Sequence, residues 1–294
     1  MFHHAKNAAF HNPIFVHVYK IEQSPGSSGK YSARKEMRIH LKAALFSVQL
    51  LICLGSWQPA MAQISHTLAS GPQNLLTTEQ VVDRLVQRNL ERAHALTAYK
   101  GTRIYRLEYH GFAGARSAEM TVEVEYRSPA SKEFKIQSES GSHWLIERVF
   151  HKLLQSEKEA LTEENQSHIA LNNDNYQFSL VGYESLPTGP CYVLSVEPLT
   201  QNKLLYRGRI WVDAKDFAVA RIEAAPAKTP SFWTKETRIE QLYAKVGDFW
   251  LPVSNRSNSV IRLGGQAEFT IDYKDYQITA VAPIRTKNTV AGNR

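Results

Sequence analysis

The chain has 294 residues, an apolar fraction of 43% and a formal net charge of +7, which excludes a collagen-like or highly charged disordered protein. The basic excess is uneven: residues 1–62 carry seven of the 35 Lys and Arg and two of the 28 Asp and Glu, leaving 28 against 26 in the remainder. Nucleic-acid binding, which needs a basic patch or stripe, therefore loses its main compositional support.

From Met37 the sequence runs MRIHLKAALFSVQLLICLGSWQPAMAQ. Arg38 and Lys42 form a basic n-region, Ala43 to Trp57 a short apolar core, and Ala60 and Ala62 occupy the small positions of a signal-peptidase site. The spacing predicts a cleaved signal peptide over 37–62. A transmembrane anchor is the competing reading, but it needs about 20 apolar residues, and this run is shorter and holds Ser47 and Gln49. Cys53 lacks the small preceding residue of a lipidation signal. Two readings stand for residues 1–36: an upstream extension with no structural role, or a disordered or cytoplasmic leader. Cleavage leaves Cys191 as the sole cysteine, which excludes an intrachain disulfide and requires a hydrophobic core to hold the fold.

Residues 63–77 are expected to be a flexible leader, and 78–283 a single domain with a frayed tail over 284–294. Thr77 with Gln80 has the form of a capping box, and Val81, Val82, Leu85, Val86, Leu90, Ala93 and Leu96 make one apolar stripe; a helix is predicted over about 78–98. After Gly101 the period becomes two. TRIYRLEYH, SAEMTVEVEYRS and KEFKIQSES read as an antiparallel meander with one wet face.

A second helix interrupts the strands at SHWLIERVFHKLLQSEKEALTEEN. Leu145, Val149 and Leu153 form one i, i+4 row and Ile146, Phe150 and Leu154 the next, with Glu147, Arg148, His151 and Lys152 opposite. Seven further strands follow, separated by turn signals such as DAKD and LGGQ. About ten strands joined by short turns predict one large antiparallel sheet, and a sheet of that size curls. Its concave face must be filled by a helix or a ligand.

Catalytic chemistry finds little support. The histidines after residue 62, His66, His94, His110, His143, His151 and His168, form no tight metal-ligand pair. Glu147 and His151 lie one turn apart, but a zinc-protease helix needs two histidines around the glutamate, so a solvated face is the better reading. Cys191 opens a strand and reads as a packed thiol. Glu123 and Glu125 share a strand face without a nucleophile. No enzyme activity, metal or cofactor is expected.

In order, these segments resemble the periplasmic lipoprotein-carrier family, the LolA/LolB-like outer-membrane lipoprotein-sorting proteins, over roughly residues 78–276. The likeness is clearest at YRGRIWVDAKDFAVARIE and at Gly247, Asp248, Phe249, Trp250, Leu251 and Pro252. It implies an α+β fold: a large curved antiparallel sheet, an unclosed β-barrel, with helices covering the concave face. It also implies an exported, soluble periplasmic carrier that holds lipid or lipoprotein acyl chains in a hydrophobic hollow for envelope lipoprotein sorting. A membrane-protein donor or acceptor is the further partner class, nucleic acid is not expected, and a monomer is. An envelope sensor or interaction protein with a filled core is the alternative on the same fold. The candidate hollow comprises Trp144, Leu145, Val149, Phe150 and Leu153 of the second helix as lid, with Tyr206, Ile210 and Val212 as floor.

Overall fold

A computed structural model describes residues 75–111, 114–129, 131–161, 167–202, 204–228, 234–262 and 264–280. The expected signal peptide, upstream extension and tail lie outside these residues, as does most of the leader. Ten strands are present: β1 (Leu96–Gly111), β2 (Gly114–Arg127), β3 (Ser131–Gly141), β4 (Tyr176–Leu186), β5 (Gly189–Pro198), β6 (Tyr206–Asp213), β7 (Val219–Pro226), β8 (Thr234–Val246), β9 (Phe249–Ile261) and β10 (Gly265–Ala280). They form one antiparallel sheet in the order β3-β2-β1-β10-β9-β8-β7-β6-β5-β4. β3 and β4 are its two edges and do not pair, so the barrel is unclosed. The chain is thus α+β, with its strands in the predicted places.

Register assigns the faces. One row of paired residues passes through nine strands: Met120, Tyr105, Ile271, Asn255, Gln241, Ile222, Ile210, Leu194 and Leu180. Directly paired residues share a sheet face, and all of these except Leu180 are buried. This is the inner face. The outer face carries ion pairs between neighbouring strands, including Arg106 with Glu119 and Asp272, Arg209 with Glu223, and Arg221 with Glu240. Such exposed pairs each contribute at most about 1 kcal/mol, but they keep that face wet.

Helix α1 (Thr78–Ala95) begins at the predicted capping box, where Thr77 Oγ1 accepts from the Gln80 amide at 3.3 Å and Gln80 Oε1 accepts from the Thr77 amide at 3.0 Å. It ends three residues earlier than expected. Leu96 takes an extended backbone and pairs with Ala280, because β10 is long enough to claim this end of β1. Val81, Val82 and Leu85 are buried against Leu194, Val196, Ile210, Val212 and Ile222.

Two polar anchors hold α1 on its half of the sheet. Thr78 Oγ1 accepts from the Leu180 amide of edge strand β4 at 3.1 Å. At the other end Arg92 donates to the carbonyls of Asp216 and Phe217 at 2.9 and 2.8 Å. Burial lowers the Arg92 pKa to about 10, still far enough above neutral pH to keep the charge that these carbonyls solvate.

The turn that receives Arg92 is the expected DAKD turn. Asp213 Oδ1 accepts from the amides of Lys215 and Asp216, and the chain leaves it through Phe217 at a φ of 47°. The Asp216 carboxylate accepts from Trp250 Nε1 at 2.9 Å and Lys245 Nζ at 2.6 Å, so the two motifs that carried the family resemblance meet in space.

The second helical segment is less regular than its pattern implies. α2 (His143–Leu145) passes into a π-helical turn (Ile146–His151) and then α3 (Lys152–Ala160). A π turn slips the side-chain register. Leu145, Ile146, Phe150, Leu153 and Leu154 are buried while Val149 is half-buried and Trp144 is 45% exposed.

Gly208 lies in the inner-face row between Val196 and Ala224 at a φ of 151°. A Cβ there would strike the Glu223 carbonyl oxygen and come within 2.7 Å of Ala224 Cα. Gly208→Ala should therefore lose roughly 2–4 kcal/mol of stability through strain and overpacking. Urea unfolding is the measurement, and a midpoint equal to that of the parent protein would refute the assignment.

Candidate functional site

The inner face is two apolar fields rather than one. The first lies under α1 and contains Tyr176, Tyr192, Leu194, Val196, Tyr206, Ile210, Val212 and Ile222. The second lies under the α2–α3 segment and contains Tyr105, Leu107, Met120, Val122, Val124, Phe269 and Ile271. Leu145, Phe150 and Leu153 of the predicted lid belong to the second field, with Val149 packed at its margin, whereas the predicted floor, Tyr206, Ile210 and Val212, belongs to the first. Both groups face inward, but the helix chosen as lid covers a different part of the sheet from the strand chosen as floor. Trp144 belongs to neither field.

A polar seam separates the two fields. Asn255 of β9 and Gln241 of β8 are 2% and 0% exposed, and Asn255 Nδ2 donates to Gln241 Oε1 at 2.6 Å. Ser257 and Thr237 are also buried, and the Thr237 hydroxyl shares a 2.9 Å hydrogen bond with that of Ser259. Desolvating amides costs energy that their mutual hydrogen bond offsets only in part.

A second buried polar group fastens the α2–α3 segment. Glu157 of α3 accepts from Arg103 Nη1 of β1 and from Lys132 Nζ of β3, each at 2.7 Å. The three side chains are 0%, 3% and 3% exposed. Arg103 also donates to the Tyr105 hydroxyl at 3.2 Å and sits over the rings of Tyr273 and Phe134, at 5.1 and 5.8 Å. Burial penalises the Arg103 charge, but Glu157 together with the neighbouring Tyr105, Tyr99 and Tyr273 outweighs that penalty, so its pKa stands well above the ordinary value. Removing one member of such a set costs about 3–5 kcal/mol, because the partner charge is left buried.

These side chains were not singled out from sequence, yet each carried a signal. Arg103 shares the strand phase of Tyr105 and Leu107, Lys132 that of Phe134, and Glu157 falls one turn after Leu153 on the apolar stripe. Each is a charge on the phase that faces inward.

On the outer face, Cys191, Val193, Trp211, Ala218, Ala220 and Trp250 form a smaller apolar patch. Trp211 Nε1 donates to Glu184 at 2.8 Å, and the ring lies within about 5 Å of the guanidinium groups of both Arg209 (5.3 Å) and Arg221 (5.0 Å). Burial pushes the Cys191 thiol up to about 12, so it is packed and unreactive at neutral pH. Among the described residues no three His, Cys, Asp or Glu side chains are grouped to hold a metal ion, and no helix is long and apolar enough to cross a membrane.

No protein-family model and no curated protein matches the chain. Similar solved structures include a DUF1329 family protein from Desulfovibrio piger, 12% identical over 69% of this chain and 94% of that one, with a TM-score of 0.36. A putative outer membrane lipoprotein-sorting protein domain from Vibrio parahaemolyticus is 10% identical over 68% and 93%, also at 0.36. A LolA superfamily protein from Nitrosomonas europaea is 10% identical over 70% and 94%, at 0.32. Likeness at this depth assigns neither a family nor a role. The strand order, the open edges and the helix-covered face stand on the geometry above, which is that of an unclosed antiparallel barrel.

His151 provides a pH-dependent tie between the α2–α3 segment and the sheet. Its Nε2 lies 2.6 Å from Glu139 of β3 and its Nδ1 3.2 Å from Glu147 one turn back. Burial opposes the imidazolium, but the two carboxylates outweigh it and raise the pKa above 6.5. A raised folded-state pKa means that the contribution is fully present below about pH 6.5 and is lost as pH rises through the folded value. Backbone amides of α3 should therefore exchange more slowly at pH 6 than at pH 9 after correction for intrinsic rates. His151→Gln should remove that difference; a variant that retains it would show that another group is responsible.

Proposed function

We propose that the protein is an exported carrier of lipid or lipoprotein acyl chains, which it holds between the inner face of the sheet and the helices that cover it. The observation that supports this reading most directly is the kind of cover. The second field is closed by one irregular helical segment, held through the side chains of its apolar stripe, Glu157 and His151. Such a cover can be displaced as a unit while the sheet beneath keeps its backbone pairing.

The driving force needs no covalent chemistry. Each CH₂ group transferred from water into the apolar field gains about 0.8 kcal/mol, so a chain of ordinary acyl length offsets the cost of displacing several buried side chains. The signal-peptide pattern supports export, and a soluble protein in the periplasm would have to shield acyl chains in transit.

A second reading follows from a specific observation. Val81, Leu85, Tyr105, Met120, Phe150, Leu194, Ile210, Ile222 and Ile271 are at most 1% exposed, so the protein's own side chains already fill the inner face. A protein with a permanently filled core would act as an envelope sensor or interaction module instead.

Native mass spectrometry of the protein purified from its own cell envelope separates the two. The carrier reading expects lipid-sized adducts, and an environment-sensitive hydrophobic probe whose fluorescence falls when acylated peptide is added. Absence of adducts together with absence of probe binding would sink the carrier reading in favour of the sensor.

A further inference from the structure

The ion cluster under the α2–α3 segment is unbalanced. Two cations, Arg103 and Lys132, share one carboxylate, and all three side chains are at most 3% exposed. These three described side chains therefore hold a net buried charge of +1. Among the described residues, further polar groups rather than further anions interact with them. The Tyr105 hydroxyl accepts from Arg103, the Tyr273 ring stacks on the guanidinium, and the Gln241–Asn255 amide pair continues the polar path along the inner face. Arginine and lysine side chains donate hydrogen bonds and accept none, so the complement of this set is an anionic group made of acceptor oxygens.

The three members are distributed unequally between cover and sheet. Glu157 comes from α3, whereas Arg103 and Lys132 belong to β1 and β3. A displacement of the cover carries the carboxylate away and leaves both cations on the sheet. Beside them lies the apolar strip of Tyr105, Met120, Phe269 and Ile271, contiguous through β2, β1 and β10. Two desolvated cations without a counter-charge are unfavourable. An anionic head joined to an apolar chain satisfies both parts of the uncovered surface at once.

We propose that the second field binds an amphiphile with an anionic head, a carboxylate or a phosphate. Its head replaces Glu157 between Arg103 and Lys132, and its chain lies along Tyr105, Met120, Phe269 and Ile271. Glu157 is then an internal stand-in for the ligand's head, competing with it for the same two cations. This rests on the carrier reading and adds to it a charge requirement that acyl-chain burial alone does not impose.

Calorimetric titration of the purified protein at pH 8 with dodecanoate, dodecyl phosphate and dodecanol, each below its aggregation threshold, compares one chain with three heads. Acetate and inorganic phosphate supply the heads without a chain. Both anionic amphiphiles should bind at least about tenfold more tightly than dodecanol, the factor expected of a charge-assisted hydrogen bond, while acetate and inorganic phosphate should give no measurable heat. Lys132→Met keeps the Arg103–Glu157 pair and should bring the preference for dodecanoate over dodecanol towards one. Glu157→Gln removes the competing carboxylate and should increase that preference. If either variant fails to fold, the comparison of heads on the parent protein still decides.

Equal affinity for dodecanoate and dodecanol would overturn the anionic head while leaving a carrier. Inorganic phosphate binding as tightly as dodecyl phosphate would overturn it in favour of a free-anion site. If none of the three amphiphiles binds, the carrier reading fails and this inference falls with it.

Discussion

An open sheet with one apolar face depends on its cover. A closed barrel hides its interior by joining its first and last strands, but here β3 and β4 do not pair, and the inner faces of the strands would meet water unless something other than a strand lay over them. Full burial of a Leu, Ile, Val, Met or Phe side chain is worth about 1.5–3 kcal/mol. The inner face holds enough of them that leaving either field bare would exceed the net stability of an ordinary domain, about 5–15 kcal/mol. The two helical elements are therefore part of the core, and their positions decide what the sheet can bind.

How each cover is fastened differs in a way that bears on function. α1 is fixed by a backbone amide of β4 at one end and by the Asp216 and Phe217 carbonyls at the other. On the sheet side these partners are neutral backbone groups, so displacement of α1 would carry the Arg92 charge away with the helix and leave the sheet no stranded charge from these contacts. The α2–α3 segment is fixed by a buried carboxylate shared between two cations, which leaves Arg103 and Lys132 bare when it breaks. Its release is therefore coupled to whatever can replace the carboxylate. The π-helical turn in the same segment adds a place where backbone hydrogen bonding is already irregular.

Legibility in the sequence follows the range of each interaction. Strand existence depends on alternation within a few residues, so all ten strands were readable; facing in β6 was not, because its more polar phase, Arg207, Arg209, Trp211 and Asp213, includes the largest ring. The capping box at Thr77 and Gln80 is equally local. The division of the inner face was not readable, because whether a helix lies over β1 or over β6 is set by sheet order, in which β1 and β6 stand far apart. This separated the lid residues Leu145, Val149, Phe150 and Leu153 from the floor residues Tyr206, Ile210 and Val212. The buried ions occupy an intermediate position. Arg103, Lys132 and Glu157 each interrupt an apolar phase, a visible irregularity, but only the fold brings together residues 54 and 25 apart in sequence.

The question of a filled or an open container turns on what the filling is made of. In a core selected only for stability, the cheapest occupant of the seam and of the Arg103 site would be hydrocarbon, since replacing buried ion sets with packed apolar residues is often neutral or stabilising. This chain instead keeps Gln241, Asn255, Arg103, Lys132 and Glu157 at 7% exposure or less on an otherwise apolar face. The side chains that close the inner face thus include a removable charge balanced against two fixed ones. Complete burial in the covered state and binding in an uncovered state are then compatible, because the group that completes the core belongs to the cover. The hairpin over Tyr206–Pro226 supplies wall for the other field, where among the described residues no carboxylate of the cover is shared between two cations of the sheet, and that contrast assigns the proposed exchange to the β1–β3 side.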